Sequence, residues 1–487
     1  MFKAILHAIM RANGVHMNLQ LQIPTRFHPT ISMNFELLFA AQADTPVRYA
    51  LTGAKGGFAR TLLAQTRRMP RLVPAVLCDL DLPGLRALCL ALGFDPARLV
   101  DCADAAAVAA APADAIVLVA DVGLVDHQRY DILVEATGHP STGFRIACNA
   151  IDAGRHVAMV SKEVDAVAGI ALSRRAAARG VVYTTADGDQ PANLIGWVSW
   201  ARTLNLEIVA AGKSSEYDLV FDPATGTITQ FDQTFAAPGM GELLTLGTDV
   251  PATLARRRAA LGGRKTSATA DYCEMAVVAT NTGLVPDVEL LHYPIARTAE
   301  LADVYALKQD GGLLGRSGAI EVFNMLRTPQ EASFAGGVFV VVKTFDTVTW
   351  ELLRQKGHVV SRDGRYACMF LPYHFMGVET PISLLNAVLH GRASGSARPT
   401  QCAVLAGRAT VDIPAGTVLT MGGHHHDVTG VQAVLLPRDS APADVAPLYL
   451  AAHARTARHV RAGELLALGD LTGDDPALRA AWLDGLQ

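Results

Sequence analysis

Two lysines, two carboxylates and a run of histidines stand out as residues whose types and spacing could do chemistry. Lys162 follows the apolar run His156-Val-Ala-Met-Val-Ser, and Lys213 comes just after the run Leu206 to Ala210. A lysine at the end of a buried strand can polarise a carbonyl or relay a proton, and its plain alternative is a surface cation capping a sheet edge. Asp187 and Asp189 flank one glycine in Ala186-Asp-Gly-Asp-Gln-Pro191. Such alternating carboxylates can bind a divalent cation, hold substrate hydroxyls or orient a lysine. Equally, an Asp-Gly turn can cap the helix that Pro191 opens. His424 and His426 alternate in Met421-Gly-Gly-His-His-His-Asp427, so on a strand they face one way and, with Asp427, could share a metal. The simpler expectation is an exposed loop without metal, since no partner ligands are visible in sequence. His374 reads as a packed core histidine, and Arg256 to Arg258 as a solvated helix face.

A second group of residues suits a dinucleotide. In Leu51-Thr-Gly53-Ala-Lys55-Gly56-Gly57-Phe58-Ala59, Gly53 makes a tight turn and Gly56 leaves room for a pyrophosphate. Gly57 and Phe58 lead into a helix, and Ala59 lets that helix pack closely on the strand. Lys55 stands where the strict fingerprint has its second glycine. Asp79 ends the next strand, 26 positions beyond Gly53. A carboxylate there accepts hydrogen bonds from the adenosine ribose and repels a 2′-phosphate, favouring NAD over NADP. Lys55 and Arg60 are nearby cations that temper the preference, and Asp81 is the other candidate for the ribose. Thr137 and Gly138, just past the run Ile132 to Ala136, form a small turn against which a nicotinamide ribose could lie.

These residues must be placed by strands and helices, and the hydrophobic pattern supplies both. Apolar runs at 49–52, 72–77, 115–120, 132–136 and 156–160 alternate with helical segments at 58–68, 85–92 and 144–153. Continuous apolar strands alternating with helices mean a parallel sheet covered on both faces. The expected class is therefore α/β, with a doubly wound Rossmann domain over 47–165 and an α+β domain over 166–400. A small β-rich domain follows over 401–487, where Val411-Asp-Ile-Pro-Ala-Gly is echoed by His459-Val-Arg-Ala-Gly. Residues 1–46 read as a flexible extension or a misassigned start.

Composition narrows the partners. The 487 residues are 50% hydrophobic and 18% charged with a net charge of −4, so no basic field exists to hold nucleic acid. Mean hydropathy is +0.24, yet the most apolar stretches, such as Ala115 to Val125, are broken by Asp and too short to span a bilayer. Seven scattered cysteines without a CxxC pair suit reduced thiols. The expectation is a soluble, cytoplasmic protein with no nucleic-acid or membrane partner.

The run Val134-Glu-Ala-Thr-Gly-His-Pro through Ser161-Lys162-Glu, with Ala186-Asp-Gly-Asp-Gln-Pro191, resembles the homoserine-dehydrogenase-like oxidoreductases that carry a C-terminal SAF domain. Ser333-Phe-Ala-Gly-Gly-Val-Phe, Gly357-His-Val-Val-Ser-Arg-Asp-Gly-Arg365-Tyr, Pro372-Tyr-His374 and Gly377-Val-Glu-Thr-Pro-Ile-Ser extend the likeness from about Met33 onward. The Val411 and His459 repeats resemble the SAF signature. The resemblance implies an NAD(P)-dependent enzyme with an α+β catalytic and dimerisation domain, a homodimer, and Lys162 beside the nicotinamide. Its substrate would be a small polar hydroxy or oxo compound. Some members resemble a second type of 1-deoxy-D-xylulose 5-phosphate reductoisomerase, which implies NADPH, a divalent cation (magnesium or manganese) and a sugar phosphate held by Lys213, Arg362 or Arg365. Asp79 sits awkwardly with NADPH. A non-catalytic nucleotide-binding scaffold is the third expectation.

Overall fold

Strand β1 (Val47–Thr52) and strand β2 (Leu72–Cys78) are buried at all but one position each, as strands covered on both faces must be. They belong to a seven-stranded, wholly parallel sheet with β3 (Leu99–Asp101), β4 (Ile116–Val119), β5 (Ile132–Glu135), β6 (His156–Met159) and β7 (Tyr183–Thr185). The order is β3-β4-β2-β1-β5-β6-β7. The chain starts at the centre, winds outward through β2 to β4, then reverses through β5 to β7. This is the doubly wound Rossmann arrangement, and the reversal between β1 and β5 opens a crevice at their carboxyl ends. The seventh strand lies beyond 165, where the sequence pattern ends the domain. It is three residues long and runs into an Asp-Gly turn, so it leaves no apolar run to find.

The computed structural model describes residues 34–40, 44–216, 218–423 and 425–487. Residues 1–43 and 44–487 form two separate units. The described part of the first contains a short helix, Phe35–Phe39, whose start is capped by the Asn34 side chain.

The second sheet is mixed. Strands β8 (Ile208–Ser214), β9 (Leu219–Asp222), β10 (Thr227–Gln230), β11 (Gln233–Ala236), β14 (Ala319–Arg327), β15 (Val338–Lys343), β16 (Val359–Val360) and β17 (Tyr366–Leu371) run in the order β11-β10-β9-β14-β8-β15-β17-β16, and the short strands β12 (Val285–Pro286) and β13 (Ile295–Ala296) pair with β14. β8 lies between parallel β14 and antiparallel β15. A Cβ at Gly212 would meet the Glu321 carbonyl oxygen at 2.1 Å, so glycine lets β8 and β14 approach beside Lys213.

Helix 269–282 packs on β14 of the second sheet. Every residue in it except Asn281 is buried, and it packs on helices 162–178 and 190–203. The C-terminal segment holds the antiparallel pair β18 (Ala403–Ala409) and β21 (Val431–Pro437), the small hairpin β19 (Met421–Gly422) and β20 (Asp427–Val428), the pair β22 (Arg455–Thr456) and β23 (Leu471–Thr472), and a terminal helix, Pro476–Gly485. The two repeats seen in sequence pair with each other: Ile413 and Val460 exchange backbone hydrogen bonds of 2.8 and 2.9 Å.

One expectation is corrected. The Arg256–Arg258 run is not uniformly solvated: Arg257 is fully buried. Its guanidinium binds both Glu300 carboxylate oxygens, at 2.6 and 2.8 Å, and donates to the carbonyls of Leu243 and Ile295. One position in a helical triplet of charges can face inward when a buried carboxylate and free carbonyls satisfy its donors.

Candidate active site

The dinucleotide turn follows from the β1 exit. Gly53 has φ of +63°, and a Cβ there would lie 2.2 Å from the Ala136 carbonyl oxygen, so only glycine lets the β1 and β5 exits touch. The helix Gly57–Thr66 starts at Gly56 with no side-chain cap, and a Cβ at Gly57 would meet nothing within 4 Å. Uncapped N–H groups at a helix start facing open space make a phosphate site, so these residues fit a dinucleotide. Phe58, in the first turn, is half-buried. Its carbonyl accepts from the Thr61 hydroxyl and abuts Gly377. Asp79 accepts from the backbone N–H groups of Lys55 (2.9 Å) and Asp81 (3.1 Å), which orients its carboxylate toward the turn. The Lys55 ammonium is ion-paired with Asp81. Their hydrogen bond raises the lysine pKa and lowers that of Asp81. Asp81 also caps helix 82–91 through the Gly84 N–H.

Against the Gly53 turn, at the exit of β5, Thr137 N–H donates to Glu135 (3.0 Å), and Gly138 N–H donates to the Ser161 hydroxyl (2.8 Å). Gly138 has φ of +67°. Glu135 is fully buried, and burial pushes its carboxyl up.

Beside this turn is a cluster of buried charges. Lys162 opens helix 162–178 and places its ammonium 3.0 Å from Glu274. Lys213, carried in by β8, is fully buried; it pairs with Asp271 at 2.8 Å and with the other oxygen of Glu274. Asp271 also accepts from the hydroxyls of Ser215 (2.8 Å) and Tyr293 (3.2 Å). Burial pushes the Glu274 carboxyl up, but Lys213 and Lys162 overcome it and hold it at about 2. Burial opposes the charge on Lys162, yet Glu274, Asp189 and Glu163 hold its pKa well above the ordinary lysine value. The Lys162 side chain remains 25% exposed whereas Lys213 is sealed. Only Lys162 can be reached by a ligand.

Two further groups face the cluster. Asp189 is pushed up by burial and by Glu274, against the pull of Lys162. His374 is pulled down by burial, partly offset by Asp189 and Glu274. Its ring packs over Gly336, where a Cβ would lie 1.9 Å from Nδ1. That contact unites the Ser333-Phe-Ala-Gly-Gly and Pro372-Tyr-His segments, and the buried Nδ1 has no hydrogen-bond partner among the described residues.

Asp187 is placed differently. Its carboxylate accepts from the Ser383 and Ser394 hydroxyls, each at 2.6 Å, and its carbonyl accepts from Thr380. It is tied to helix 380–390 rather than to the lysines. His426 pairs with Glu163 at 2.6 Å, while His424 lies outside the described residues. Among the described residues, no three His, Cys, Asp or Glu side chains converge as a metal site would require. The structure thus gathers Lys162, Lys213 and Asp189 at one point and sets Asp187 apart. Sequence reasoning missed Asp271 and Glu274. Their signal was present: two carboxylates three apart on one face of an otherwise apolar helix.

Residues 262–380 match the family model for the catalytic domain of the oxidoreductase DRL. No curated protein matches the chain at a significant level. Similar solved structures include a DOX-P reductoisomerase with fosmidomycin and magnesium, at 16% identity and a TM-score of 0.31, covering 49% of this chain and 58% of that one. The chain therefore spans less than two thirds of that enzyme's length. Dihydrodipicolinate reductase from Paenisporosarcina sp. TG-14 is 10% identical, with a TM-score of 0.33 over 72% of this chain and 97% of that one. A probable dehydrogenase from Thermotoga maritima is 12% identical, with a TM-score of 0.35 over 71% and 90%. The matched catalytic segment contains Asp271, Glu274 and His374, and the two sheets bring Lys213 and Lys162 to it. Residues 262–380, with the buried carboxylates they carry, are thus similar to the catalytic domain of an oxidoreductase.

Proposed function

We propose that this enzyme moves a hydride between the nicotinamide of NAD or NADP and the carbon of a small polar hydroxy or oxo substrate. Gly53, Gly56, Gly57 and Asp79 hold the pyrophosphate and adenosine ribose, and Thr137 and Gly138 line the nicotinamide ribose. The dinucleotide, when bound, supplies or accepts the hydride. Asp79, oriented by two backbone N–H groups, favours a free ribose 2′-hydroxyl and hence NAD.

The observation that carries this reading is the half-sheltered Lys162 ammonium, held by Glu274 at the carboxyl end of β6. An ammonium kept protonated donates a hydrogen bond to the substrate oxygen and stabilises the alkoxide that develops there. A group with so high a pKa is a poor base near neutrality. The proton itself is better moved by Asp189 and His374: burial raises the Asp189 carboxyl and lowers the His374 imidazole, which brings the two groups' pKa values toward each other. Lys213, sealed beneath, acts as a positioning residue that fixes Glu274.

A homoserine-dehydrogenase-like substrate, a homodimer and an SAF-type C-terminal module belong to the same reading and rest on the sequence resemblance. The metal-assisted sugar-phosphate reductoisomerase is not preferred, because Asp187 is engaged by two serines and does not converge with Asp189. The deciding experiment is a thermal-shift and turnover panel of NAD, NADP and candidate hydroxy acids with and without manganese. Stabilisation by a nicotinamide nucleotide with metal-free turnover supports the proposal. Manganese-dependent NADPH oxidation with 1-deoxy-D-xylulose 5-phosphate would replace it.

A further inference from the structure

The histidine run at 424–426 and the C-terminal module have no part in the reaction so far described, yet both touch it. His426 places its Nδ1 2.6 Å from Glu163, the residue after Lys162. Its Cε1 stands where a Cβ on Gly138 would come within 2.9 Å. At the next residue of the same turn, His453 stacks on His139 with ring centroids 5.3 Å apart and planes 10° from parallel. Both module histidines have left-handed backbones, with φ of +53° at His426 and +69° at His453. A non-glycine residue persists there only when its surroundings hold it, and such residues cluster at functional sites. The neighbours do hold it. Asp427 accepts from Thr269 and Lys265, and the Tyr449 hydroxyl donates to the His426 carbonyl at 3.4 Å.

We propose that the C-terminal module completes the dinucleotide site, with His426 bracing the Thr137–His139 turn at Gly138, His453 bracing it at His139, and His426 fastening the helix start that presents Lys162. The inference rests on the nicotinamide reading above. His426 is a positioning residue: it acts on the nicotinamide end through Gly138 and Glu163. The adenosine end, built from Gly53 to Gly57 and Asp79, owes nothing to the module's histidines.

That asymmetry supplies the test. Equilibrium binding of NADH and NADPH is measured by nucleotide fluorescence and of ADP by calorimetry, on the full chain. His426→Ala is expected to weaken the preferred dinucleotide about tenfold and leave ADP unchanged. His426→Asn keeps a donor near the Nδ1 position and tolerates the left-handed backbone, so it should restore most of the affinity. Glu163→Gln combined with His426→Ala should cost no more than His426→Ala alone, since the two residues form one unit. His453→Gly, which suits the backbone angle and removes the stacked ring, repeats the test should His426→Ala fail to fold. His459→Ala, on the exposed side of the module, should change nothing. Dinucleotide affinity unchanged in both His426→Ala and His453→Gly, or ADP weakened as much as the dinucleotide, overturns the proposal. A folded wild-type chain that binds ADP but neither dinucleotide overturns the nicotinamide reading itself, and the two failures are thereby told apart.

Discussion

Glu274 is the residue on which the site turns, because one carboxylate serves two ammonium groups of unequal access. Replacing Lys162 with alanine removes the reachable donor and should lower turnover roughly a hundredfold or more with the fold intact; turnover within a few-fold of wild type would exclude the role. Glu274 also leaves a mark on acid stability. Its folded pKa of about 2 lies below the ordinary 4.5, so the unfolded chain takes up a proton there that the folded chain refuses. The stability it confers is complete above about pH 4.5 and is lost as pH falls toward 2. Denaturation midpoints measured across that interval should fall more steeply for wild type than for Glu274→Gln. The two lysines were legible in sequence because each follows an apolar strand. Their partner carboxylates left a signal too, three apart on one helix, but nothing local tells that this helix packs against the segments carrying both lysines.

At the scale of elements, five of the first sheet's seven strands were legible, because buried parallel strands leave unbroken apolar runs, whereas β3 and β7, three residues each, were not. The mixed second sheet was not: its β9 to β11 meander alternates polar and apolar residues and blends with the surrounding turns. Two element-scale changes have opposite expected signs. Gly53→Ala forces a Cβ against the Ala136 carbonyl in a left-handed backbone, and should destabilise by at least about 1 to 2 kcal/mol while abolishing dinucleotide binding. Asp165, in the first turn of helix 162–178, is buried against the Tyr183 hydroxyl, and burial pushes its carboxyl up to about 6. A raised acid favours the folded state only while protonated, so this contribution is lost as pH rises through 6. Asp165→Asn should therefore raise stability at pH 8, by up to about 3 kcal/mol, and do little at low pH. A chemical denaturation series at both extremes checks the sign.

For the whole molecule, the governing fact is that both site helices are covered by the C-terminal segment. β18 and β21 pack on helix 269–282, and the terminal helix packs on helix 162–178. Sequence divides the chain into successive domains because strand and helix patterns are read along it, whereas these contacts join segments far apart in it. Trp482, 2% exposed in the terminal helix, is the test. Trp482→Ala should cost about 3 to 5 kcal/mol in unfolding experiments. The surviving folded fraction should also show weakened dinucleotide binding, because the helix that carries Lys162 loses its cover.

The same arrangement bears on how the protein is made. Helix 162–178 leaves the ribosome roughly three hundred residues before the helix that covers it. At about 5 to 20 residues per second, its uncovered apolar face waits on the order of 15 to 60 s for a partner. During that interval the nascent Rossmann unit offers chaperones a sticky surface. Slowed translation between these two helices should lower the yield of folded protein without altering any residue of the finished fold.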